Sequence, residues 1–184
     1  MPDLSGLPWR RIVGIAGAFA VAAIVGGELL VQLWTPPPGV AYQGEWFPRQ
    51  AGPDLMFAAT AYYVALAGGL GLALGIGIAL LRGNEWATLV TTGLAALAAG
   101  WLMHAVAVAQ GPDDPRPAAQ EAADMTPLEG ALVVAAPGDA RHIFTSTVSL
   151  SMPVGALTGL AGVYLVAPRR RIATLTPPDR PQGR

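Results

Sequence analysis

The 184-residue chain has no cysteine and no lysine, and it is poor in charge of either sign. Without cysteine, disulfides, thiol redox chemistry and Cys-ligated metals are excluded. Segments outside the apolar stretches are therefore expected to be held by packing alone. Charged residues make up 12% of the chain, against about 25% in an ordinary soluble domain. All eleven cations are arginines. Together with the abundant Ala, Gly, Val and Pro, that usage suggests a GC-rich genome.

What is present in place of charge is apolar surface. Hydrophobic residues reach 53%, and they concentrate in four stretches: Ile12–Trp34, Leu55–Leu81, Trp86–Ala109 and His142–Ala167. Each exceeds the roughly 20 residues that a helix needs to cross a hydrocarbon core about 30 Å thick. All charges except Glu28 lie between or beyond them. The expected fold is an all-α membrane protein, a four-helix transmembrane bundle with a small extracytoplasmic loop cap. Its parts would be a cytoplasmic N-terminus (1–11), a transmembrane domain (12–167) with outer loops 35–54 and 110–141, and a disordered basic tail (168–184). Ala18-Phe19-Ala20 imitates a signal cleavage site, but the apolar run continues to Leu33. That is longer than a signal h-region of about 7–15 residues, so the run reads as a retained span.

Arginine distribution sets the expected orientation. Arg10, Arg11, Arg82, Arg169, Arg170, Arg171, Arg180 and Arg184 fall on one side of the spans; Arg49, Arg116 and Arg141 fall on the other. The positive-inside rule then makes both termini cytoplasmic in a multi-pass protein of the cell membrane. The Arg169–Arg171 run suits anionic head groups or simply fixes topology. It forms no nucleic-acid module.

Small residues recur every four positions, as close helix packing in lipid requires. The stripes are Gly14, Ala18, Ala22 and Gly26; Gly71, Gly75 and Ala79, with Gly69, Ala73 and Gly77 beside them; and Thr147, Ser151, Gly155 and Gly159. Gly71, Gly75, Ser151, Gly155 and Gly159 are the expected packing residues, either within one bundle or against a homo-oligomer or membrane-complex partner. The short connection Arg82–Glu85 predicts antiparallel neighbours for the second and third spans, and Pro153 suggests a bend in the fourth. Pro117 is the expected start of a short outer helix, Ala118–Asp124, and Leu128–Ala136 is apolar enough to pack. Tyr42, Trp46 and Phe47 suit a segment lying at the membrane surface.

Two ionisable residues lie inside the spans. Glu28 is about 9 Å inside the outer end of its helix and His104 about 7–8 Å inside the outer end of its own. A charge at such depth is costly and faces the bundle interior or water. A Glu28–His104 pair is thus expected, with Gln32, Tyr62 and Tyr63 in the same polar layer. The residues leave two readings open: a structural lock, or an outward-facing ligand or proton site. No metal-ligand spacing, nucleophile elbow or phosphate loop occurs. Hence no catalytic residue, metal or cofactor is expected.

The Pro-rich exit Thr35–Gly39, Gly52-Pro53-Asp54 with Phe57 entering the second span, the Arg82 turn and Gly111-Pro112-Asp113 opening a long outer loop resemble a family of actinobacterial four-span membrane proteins, some loosely labelled permeases. The resemblance covers Gly26–Ala167 and implies the four-span topology. It brings no activity and no site residues. The functional expectation is a non-enzymatic accessory, scaffold or envelope-complex protein. The alternative is a small transporter or permease component with its site at Glu28 and His104.

Overall fold

The computed structural model describes residues 9–49, 53–81, 85–134 and 147–166. Its elements in chain order are α1 (Trp9–Leu33), β1 (Pro38–Tyr42), β2 (Glu45–Pro48), α2 (Pro53–Ala79), α3 (Glu85–Gln110), α4 (Pro115–Glu121), β3 (Pro127–Glu129) and α5 (Ser151–Val166). Four helical segments are long and apolar enough to cross a membrane, the last counting the turn that leads into α5 (Val148–Val166). The expected bounds of the first three spans hold to within three residues. The expected start of the fourth at His142, the Arg82–Asn84 connection, residues 1–8 and the tail with Arg169–Arg171 lie outside the described residues.

Non-consecutive helices make the two most extensive interfaces, α2 with α5 and α1 with α3. Glycine explains the first. A Cβ built on Gly75 would overlap the Ala156 carbonyl, one on Gly71 the Met152 carbonyl, one on Gly155 the Gly68 carbonyl and one on Gly159 the Leu72 carbonyl. Residue numbers rise together along both helices, so α2 and α5 run parallel with their backbones in contact. In the α1–α3 interface, a Cβ on Gly27 would stand 2.9 Å from the Met103 carbonyl oxygen and 2.7 Å from Val106 Cγ1. Secondary contacts between α3 and α5 and between α1 and α2 close a ring in the order α1, α3, α5, α2.

That order corrects one expectation. The second and third spans are consecutive and tightly joined, yet α2 and α3 lie diagonally and touch little. The glycine faces decide the arrangement, because backbone-to-backbone contact along α2 is available only from α5. The four-residue stripe on α1 is used only in part: Gly26 meets Leu70 and Met103, while Gly14 has nothing within 4 Å. Pro153 lies just past the junction of two helical elements within the fourth span. It falls in the first turn of α5, where its missing N–H has no intrahelical partner to lose, and residues Thr147–Leu150 before it form a 3-10 turn.

The all-α expectation is also corrected, by a three-stranded antiparallel sheet of order β2-β1-β3. Gln43 (φ 51°) and Gly44 (φ 76°) both take left-handed backbone, as the two-residue turn favoured in hairpins requires. Asp124 Oδ1 fixes that turn by accepting from the Gln43 N–H at 2.8 Å. In the resulting register Arg49 N–H donates to the Pro38 carbonyl at 2.9 Å, so alternate residues Glu45 and Phe47 also face β1 and Pro48 faces the free edge. Proline offers no donor there, which blunts the edge against further pairing. The connecting segments are therefore tied by ladder bonds as well as packing.

Helix α4 begins earlier than expected. Asp114 accepts the Arg116 N–H at 3.0 Å as N-cap, and Pro115 follows at the first helical position, which suits its fixed φ. Beyond β3 the chain turns down onto the helices. Leu132 and Val134 are buried in the same apolar cluster as Trp34, Tyr63 and Ala107, and Thr60 Oγ1 donates to the Val134 carbonyl at 3.3 Å. The sheet, α4 and this segment form a cap over one end of the four long helices.

Candidate functional site

Glu28, Tyr63, His104 and Gln110 lie in the cap-side halves of their helices. Gly26 and Gly27 sit in the seam between α1 and α3, where the lack of side chains lets the helices approach. Glu28 follows directly, half-buried. Its Oε1 accepts from Gln110 Nε2 at 2.5 Å. Gln110 is the last residue of α3, and its side chain reaches back along the seam to the carboxylate.

The expected Glu28–His104 bond is not formed. His104 is half-buried on α3, and among the described residues neither a hydrogen bond nor an ion pair joins it to Glu28. The neutral amide of Gln110 takes that place. Tyr63 is fully buried and spends its hydroxyl on the Gly100 carbonyl at 2.7 Å, which makes it a tie between helices. Tyr62 and Gln32 point outward. The five residues expected in one layer therefore occupy separate surroundings.

Gln110 was missed in the sequence because it served as the boundary of a span, and depth counting compares Cα levels only. A polar residue at a helix end with a long side chain is the signal that could have found it. Among the described residues no three His, Asp or Glu side chains come together to hold a metal ion. An open groove near this end is lined by Val108, Pro112, Asp113, Asp114, Ala131 and Leu132; neither Glu28 nor His104 belongs to it. No known protein family matches the chain, and neither a curated protein nor a solved structure does. The functional reading rests on the sequence and the geometry.

Proposed function

We propose that this chain is a non-enzymatic multi-pass protein of the cell membrane, an accessory or scaffold subunit that works by holding a partner. Both termini lie in the cytoplasm and the cap outside, an orientation supported by the arginine asymmetry. The observation that carries the reading is the filled axis of the bundle. Phe19, Leu30, Tyr63, Met103, Met152 and Leu160 come from all four long helices and are each no more than 1% exposed. Such packing supports a rigid body more than a passage.

A second small-residue face on α2 supports the partner role. Ala61, Ala65, Gly69, Ala73 and Gly77 are all exposed, four residues apart, and a Cβ on Gly69 or Gly77 would meet nothing within 4 Å. The inner glycines of α2 are taken by α5; this outer row is free for a helix of a second copy or of another subunit. The transporter alternative has one supporting observation, the half-buried carboxylate of Glu28 with a single neutral partner.

Purification in mild detergent with crosslinking at Gly69 and Gly77 (each replaced by cysteine in turn) tests the proposal. A stoichiometric partner or a homo-oligomer crosslinked through α2 is the expected result. A monomer that crosslinks to nothing, combined with ion or solute flux abolished by Glu28→Gln, would replace the scaffold reading with the transporter.

A further inference from the structure

At the end of the bundle opposite the cap, one charge has no acidic partner among the described residues. Arg11 lies one half-turn into α1 and is half-buried. Its Nη2 donates to the Leu81 carbonyl, just past the end of α2. Its Nε is enclosed and has no hydrogen-bond partner. Among the described residues the guanidinium makes no other hydrogen bond. Among the described residues no carboxylate pairs with the guanidinium. A partly desolvated cation whose one described partner is a neutral carbonyl favours an anion beside it.

The surroundings indicate which anion. The register that sets Gly26 beside Met103 also sets Trp9 level with Trp86, and these indoles are 72% and 71% exposed. Exposed tryptophans at matched ends of parallel spans mark the headgroup layer. Arg11, two residues further on, is about 3 Å deeper along the helix, at the level where lipid phosphates and glycerol meet the acyl chains. The α1 surface continuing from there has a low patch between the exposed Val13 and Val21. Gly14, Gly17 and Ala18 are exposed, and a Cβ on either glycine would meet nothing within 4 Å. The result is a shallow trough running from the cation toward the bilayer centre.

We propose that Arg11 and the Gly14–Ala18 surface of α1 hold one anionic phospholipid, with its phosphate on the guanidinium and an acyl chain along the trough. Arg11 already bridges α1 to the end of α2, so an occupied site would brace that corner and raise the stability of the whole bundle by mass action. The inference rests on the membrane reading above.

The test uses the full chain in phosphatidylcholine vesicles or nanodiscs, with and without phosphatidylglycerol, read by thermal unfolding and by lipid retained in native mass spectrometry. Flotation after a carbonate wash in phosphatidylcholine alone checks membrane insertion separately; a chain that fails this step sinks the membrane reading itself. For an inserted chain, phosphatidylglycerol should raise the midpoint and be retained with one molecule per chain. Arg11→Gln should lower apparent affinity about fivefold, the scale of one basic side chain near an anionic surface. Gly17→Leu should fill the trough and lower it as well. Arg116→Gln, at the cap end, should leave it unchanged. Should Arg11→Gln fail to fold for want of its bond to Leu81, Gly17→Leu carries the test, because a Cβ there meets none of the described residues within 4 Å. The proposal is overturned by a wild type indifferent to phosphatidylglycerol, by either folded variant keeping full affinity, or by free inorganic phosphate giving the same shift in phosphatidylcholine.

Discussion

The Tyr63 hydroxyl donates to the Gly100 carbonyl at 2.7 Å, across the diagonal of the helix ring. A Cβ on Gly100 would lie 3.4 Å from the phenol oxygen and 3.3 Å from the Ser149 carbonyl. One position on α3 thus receives α2 and the turn leading into α5 together.

Tyr63→Phe should therefore lower stability modestly. Removing a buried neutral hydrogen bond costs about 0.5–1.5 kcal/mol in general, and interhelical bonds in membrane proteins average about 0.6 kcal/mol. Thermal unfolding in detergent measures it. A loss above about 3 kcal/mol would mean that the ring packing, and not the hydroxyl, is what the substitution disturbs.

Two glycines one half-turn apart on α2 should behave oppositely. Gly75→Ala places a methyl into the Ala156 backbone, which cannot yield as a side chain would, and should cost about 1–3 kcal/mol as an overpacking substitution. Gly77→Ala meets open space and should be neutral or gain up to about 1 kcal/mol of helix propensity. Equal effects at both positions would contradict the assignment of inner and outer faces. A change in oligomer size from Gly77→Leu, with monomer stability intact, would mark the outer row as the partner surface.

Glu28→Gln should be tolerated, because an amide oxygen can accept from Gln110 as the carboxylate does. Glu28→Lys should prevent stable accumulation, since it places an ammonium in the glycine-tightened seam. A double-mutant cycle with Glu28→Leu and Gln110→Leu should give a coupling of about 0.5–1.5 kcal/mol, whereas a cycle of Glu28→Leu with His104→Leu should give nearly none.

Reporter fusions placed after Gln120 should read external, and fusions after Arg184 or within Arg82–Glu85 should read cytoplasmic. A C-terminal fusion reading external would reject the orientation.

The long helices were legible because each apolar run exceeds a bilayer's width and is closed by proline, charge or a helix end. The sheet was not. β1 starts at a proline and has five residues, β2 ends at one and has four, and β3 has three. Strands this short show too little alternation to stand out, although Gln43-Gly44 between Tyr42 and Trp46 is the hairpin signal they do carry. Neighbour relations were legible only in part. Loop length argued for α2 beside α3, but the contact that decides is glycine against backbone, and sequence spacing does not say which helix supplies the opposing backbone. In the candidate site, position along the helix axis was legible, and it set Glu28 and His104 at a similar level. The partner of Glu28 was not, since side-chain reach is invisible to counting along an axis.

The pairing of α2 with α5 has a consequence for biogenesis. The ribosome delivers α2 early and α5 last, so Gly68, Gly71 and Gly75 enter the bilayer with no backbone to rest against while about seventy residues are still to come. Until then α1 and α3 can associate, but half of the ring is missing its tightest joint. A nascent chain halted before Thr147 would present that bare glycine face to whatever helices surround the insertion site, and quality-control proteases that recognise unassembled spans would have a long interval in which to act on it.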